Sequence, residues 1–86
     1  MTNKKGAEAQ IDLEKCLPLA EHIEAHADRA NLAQELKREQ KLRIQEKDGR
    51  LHVVTMHKVT AKGRPDARQA LLNWAAKVRR AALAAA

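Results

Sequence analysis

Asp48-Gly49 leaves the backbone less choice than any other dipeptide of this chain. It stands between two runs of alternating character, "KLRIQEK" and "RLHVVTMHK", and an Asp-Gly pair accepts the positive φ angles of a tight hairpin turn. The expectation is a two-stranded antiparallel hairpin over 41–47 and 50–58. Leu42 and Ile44 alternate with Lys41, Arg43 and Gln45, and β-branched residues gather in "VVT". Ile44, Leu51 and Val53 are therefore the candidates for the buried face.

Helix formers dominate on both sides of the hairpin. In "IDLEKCLPLAEHIEAHADRANLAQELKREQK" a proline belongs in a first turn rather than an interior, so the main helix is expected to begin at Pro18. Glu21 and Glu24 near that start suit the helix dipole. Leu17, Leu19, Ala20, Ile23, Ala27 and Ala30 share one side at about 100° per residue, whereas Leu32 and Leu36 fall outside that arc. The phase jump admits two readings. One long helix touches two partners, the reading favoured here, or the chain breaks near "HADRAN" and Asn31 caps a second helix ahead of Gln34. After a connector, "TAKGRP", Pro65 is expected at the first helical position and Asp66 in the first turn. Ala67, Leu71, Trp74, Ala75, Val78 and Ala82 then form one stripe, and the terminal "AALAAA" is expected to fray. The fold class is α+β: long N-terminal helix, two-stranded hairpin, C-terminal helix. One domain over 11–86 follows a flexible tail at 1–10, and nothing repeats.

Such a chain builds a thin core. A domain this small buries only about 60% of its unfolded surface, and this one has no Phe, no Tyr and only Trp74 among large aromatics. Dimerisation through the Ala and Leu stripes is expected, because it would supply apolar area one chain lacks.

Charge narrows the function classes further. The net charge is +6, yet residues 1–36 hold four Lys or Arg against seven acids, and residues 37–86 hold thirteen against four. So dense a basic half is the footprint of a polyanion partner, most often nucleic acid. Around "KVTAKGRPDARQALL" the free N–H groups of a helix start could grip a phosphate. Gly63 would allow close approach, and Arg64 and Arg68 would fork onto oxygens. Arg43, Arg50, Lys58 and Lys62 extend the patch. Asp66 opposes it. On the C-terminal helix Lys77 and Arg80 project away from Arg68 and Arg79, which does not suit a recognition helix. Single strands are held by stacking on aromatic rings, and Trp74 belongs to the apolar stripe, so a duplex is the expected partner.

Enzyme chemistry finds little footing. Ser and Tyr are absent from the sequence. Cys16 has no activating base beside it and reads as a buried thiol, and His52 and His57 have no positioned partner. His22 and His26, four apart on a helix, could face one ion with Cys16 or Glu21, but no second cluster joins them, so no metal or cofactor is expected. A single cysteine forms no internal disulfide and suits a reducing compartment. The N-terminal "MTNKKGAEAQ" lacks the apolar region of a signal peptide, and no apolar run reaches about 18 residues. A cytoplasmic location is expected, away from membranes.

The order of a helix, then strands, then "GRPDARQA" entering an Ala-rich helix resembles the end of a double-stranded RNA-binding domain, a family that also places basic residues where its last helix begins. The family's Lys pair is missing here, Asp66 intrudes, and no third strand is expected. The sequence points to a non-enzymatic protein that binds duplex nucleic acid, DNA ahead of RNA, through backbone phosphates at Arg43, Arg50, Lys58, Lys62, Arg64 and Arg68. A bacterial or phage transcription regulator would fit. The alternative is a protein-interaction module, an adaptor or inhibitor of a host factor, whose acidic N-terminal helix presents Leu32 and Leu36 as exposed anchors.

Overall fold

A computed structural model describes residues 11–85; the tail expected at 1–10 lies outside them. In chain order the elements are α1 (Leu13–His26), α2 (Leu32–Gln40), β1 (Arg43–Lys47), β2 (Leu51–Met56), β3 (Val59–Gly63) and α3 (Ala67–Ala85). The strands form one antiparallel sheet in the order β1-β2-β3. Helix α3 packs on β2 and β3, and α1 packs along α3. No described helix is long and apolar enough to cross a membrane.

The first helix starts earlier than Pro18. Asp12 caps it, its side chain accepting from the Lys15 N–H at 3.3 Å, which leaves Pro18 inside the helix and the Glu14 carbonyl without its usual donor. The helix does not continue through "HADRAN"; it stops at His26, and α2 begins after Asn31. Geometry gives the reason. Ile23 and Leu32 are nine residues apart, about 180° around a continuous helix at about 100° per residue. The break lets Cys16, Ala20 and Ile23 of α1 and Leu32 and Leu36 of α2 enter one core. Helix α2 ends on Lys41 in the left-handed region (φ 59°), with the Leu42 N–H returning to the Leu36 carbonyl at 3.2 Å, a helix stop usually given to glycine.

The hairpin is real, but its register is not the expected one. Lys47 pairs with Leu51, so the turn holds three residues, Asp48, Gly49 and Arg50, with φ 71° at Gly49 and 64° at Arg50. One added turn residue flips the faces of the second strand. Ile44 therefore lies opposite Val54 rather than Val53; Val54 and Met56 are buried, while Leu51 and Val53 face the other way and are half-buried.

A third strand replaces the expected connector. Met56 pairs with Val59 across a two-residue turn, His57 and Lys58, whose φ angles are 53° and 66°. Such angles ordinarily call for Gly or Asn. Here tertiary contacts hold them. The Trp74 Nε1–H, fully buried, reaches the carbonyls of Met56 (3.3 Å) and Val59 (3.1 Å) on either side of the turn, and His57 Nε2 lies 2.9 Å from Gln40 Oε1. The α3 stripe forms largely as expected, burying Ala70, Leu71, Trp74, Ala75 and Val78, and the helix runs unbroken to Ala85. The α1 and α3 stripes meet within one chain, burying Ala20, Ile23, Leu71, Trp74, Ala75 and Val78 and leaving Leu17 and Leu19 half-buried.

Candidate nucleic-acid interface

Alternation along the strands sorts their side chains onto two faces. Val54, Met56, Val59 and Ala61 turn toward the helices and are buried. Arg43, Gln45 and Lys47 of β1, Leu51, Val53 and Thr55 of β2, and Thr60 and Lys62 of β3 turn the other way. Thr55 and Thr60 mark the shared face, their hydroxyls 3.1 Å apart. Register aligns this face into rows: Arg43–Thr55–Thr60, then Gln45–Val53–Lys62, then Lys47–Leu51. Arg64 follows β3 at the end of that last row, its Nε–H donating to the Gly49 carbonyl at 3.1 Å. Among the described residues, no carboxylate occupies a strand position on this face.

On the helices, two arginines of α3 are paired with acids. Arg79 forks onto Glu24 with contacts of 2.6 and 3.2 Å, joining α3 to α1. That hydrogen bond holds the Glu24 carboxyl below its usual range, against the opposing effect of burial and with the guanidinium charge as a lesser aid. Arg68 reaches Asp28 at 2.8 Å, and His22 lies 3.2 Å from Glu35. Two of these contacts tie acids of the N-terminal half to arginines of α3. Residues 41–64 keep seven Lys or Arg against Glu46 and Asp48.

The expected phosphate residues separate on this evidence of pairing. Arg43 and Lys62 lie on the open sheet face, and Arg64 stands at its corner. Arg50 is in the β1–β2 turn and Lys58 in the β2–β3 turn, at opposite ends of the sheet. Arg68 is engaged by Asp28 instead. The helix start itself is an ordinary cap. Asp66 is the capping residue rather than a first-turn one, its Oδ1 accepting from the Gln69 N–H at 3.0 Å, and Pro65 precedes it. Gly63 serves packing rather than ligand approach, since a Cβ there would sit 2.6 Å from the Ala70 Cα. Leu32 and Leu36, expected as exposed anchors, are each only 2% exposed and belong to the core.

Sequence reading missed Lys47 and Gln45, although their alternation with Ile44 was visible. It also missed the outer side of β3. There Thr60, Ala61, Lys62, Asn73, Ala76, Lys77 and Arg80 line a shallow groove of about 530 Å³. Asn73 Nδ2 donates to the Lys62 carbonyl at 2.7 Å and Lys77 Nζ to the Thr60 carbonyl at 2.9 Å. These bonds occupy acceptors that an edge strand would offer to another strand.

Cys16 is fully buried, and burial, followed by the Asp12 charge, pushes its thiol up, away from the reactive thiolate. The His22 and His26 ring centroids lie 4.6 Å apart with the planes tilted by 55°, and no cluster of three or more potential metal ligands exists among the described residues. Family models, curated protein sequences and solved structures return no match to this chain. The third strand brings the element order nearer to the double-stranded RNA-binding domain, but Asp66 caps the helix and Asp28 engages Arg68 where that resemblance needs free cations.

Proposed function

We propose that the protein is a non-enzymatic binder of duplex nucleic acid, DNA ahead of RNA, and that it grips backbone phosphates with the open face of its sheet. One observation carries this reading: Arg43, Lys47 and Lys62 share a face that has no strand carboxylate, while Arg68 and Arg79 on the helices are matched by Asp28 and Glu24. A surface kept basic only for solubility has no reason to sort its counter-charges by layer. The face offers no Phe, Tyr or Trp for base stacking, which favours a duplex over a single strand. The reading extends to a bacterial or phage transcription regulator acting in the cytoplasm. One copy suffices as the binding unit, and a homodimer would present two such faces. The protein-interaction reading loses its named anchors, because Leu32 and Leu36 are core residues.

The test is a pair of variants in a duplex-binding titration at low salt. Arg43→Glu with Lys62→Glu should abolish binding, whereas Arg68→Ala should leave it near the wild-type level. Wild-type binding by the charge-reversed protein would refute the proposal.

A further inference from the structure

The distribution of charge across the open sheet face says more than that a polyanion binds. Its cations stand on the outer strands, Arg43 and Lys47 on β1 and Lys62 on β3, with Arg64 just beyond β3. The middle strand shows only Leu51, Val53 and Thr55. Lys77 and Arg80 of α3, lining the groove along β3 with Lys62, add to one flank. A surface that merely lies against phosphates gains nothing from a neutral, partly apolar centre.

We infer that β2 lies over the major groove of duplex DNA and that its side chains, with Gln45 of β1, read base edges there, while the cations of β1 and β3 grip the two phosphate backbones that border the groove. This rests on the duplex-binding reading. Strands about 4.8 Å apart place the two cation-bearing strands about 10 Å from each other, and the major groove of B-form DNA is about 12 Å wide. The dimensions match with the cations at the rims. Duplex RNA does not offer this fit, because its major groove is deep and narrow and its minor groove shallow. The central chemistry suits A·T pairs. A Gln amide can pair with adenine N6 and N7, and Val53 and Leu51 supply apolar contact for the thymine methyl. Thr55 and Thr60 hold each other's hydroxyls, leaving Gln45 as the strand-borne amide of the face.

The experiment enriches a random-sequence DNA duplex library on the full chain. The enriched duplex is then compared with the same sequence carrying uracil for thymine, and with its RNA counterpart. The expected result is an A·T-containing motif, weaker binding of the uracil duplex, and RNA binding at least about tenfold weaker. Gln45→Ala and Val53→Thr should flatten the preference while random duplex still binds. Arg43→Ala should weaken all sequences alike. Duplex binding with no motif, or equal affinity for the RNA, overturns the groove-reading inference and leaves phosphate binding standing. No binding to any duplex at low salt overturns both.

Discussion

Gly63 and Glu24 show how single residues fix where the chain's surfaces lie. Gly63 is where β3 hands over to the packing of α3, and the Ala70 backbone occupies the space a side chain would need. Gly63→Ala should cost about 1–3 kcal/mol through forced backbone movement, read as a lower urea midpoint by Trp74 fluorescence; an unchanged midpoint would contradict the close approach. Glu24 is tied to Arg79, and its carboxyl is held below the usual range. A depressed carboxylate stabilises the fold at pH above its unfolded value, and the gain fades as pH falls through the lower folded value. Glu24→Gln should therefore be less stable than wild type at neutral pH, with the difference disappearing in acid. Urea melts at neutral and acidic pH measure it, and a gap that widens in acid would reverse the assigned sign.

At the scale of elements, Pro18 separates the two possible helix starts. Inside α1 it lacks a donor for Glu14, so Pro18→Ala should raise stability by about 1–3 kcal/mol. Had the helix begun at Pro18, the same change would be neutral or harmful, and thermal unfolding distinguishes the two. Much of the fold was legible: both helical regions, the Asp48-Gly49 turn and the Trp74 stripe follow from local pattern. What escaped was held by distant contacts. Nothing local in "TMHKVT" marks a turn, because Trp74 and Gln40, far along the chain, hold His57 and Lys58 at positive φ. Arg50 joined the turn and reversed the faces of "LHVVT", where adjacent valines leave the alternation ambiguous. The site was readable as a charge excess after residue 36 but not as a surface, since knowing which cations are free requires knowing that Asp28 meets Arg68 and Glu24 meets Arg79.

Across the whole molecule, the paired arginines lie on the helical layer and the cations of the open sheet face have no strand carboxylate beside them. Acids of the N-terminal half lie against α3 and engage Arg68 and Arg79, which leaves the cations of the sheet face without such partners. Removing that pairing should enlarge the basic surface rather than destroy it. The double variant Glu24→Gln with Asp28→Asn should still bind duplex, at least as tightly as wild type, in a low-salt titration; loss of binding with the fold intact would place the interface on the helical layer instead.

The salt dependence of duplex DNA binding tests the cationic sheet face most directly. Each phosphate neutralised contributes about −0.9 to the slope of log affinity against log salt, so contacts from Arg43, Lys47, Lys62 and Arg64 together give a slope of about −3.6. The slope should become shallower by about one unit in Lys47→Ala and stay unchanged in Arg68→Ala. A flat response in the wild-type protein, or a slope that falls with Arg68 and not with Lys47, would contradict the assignment.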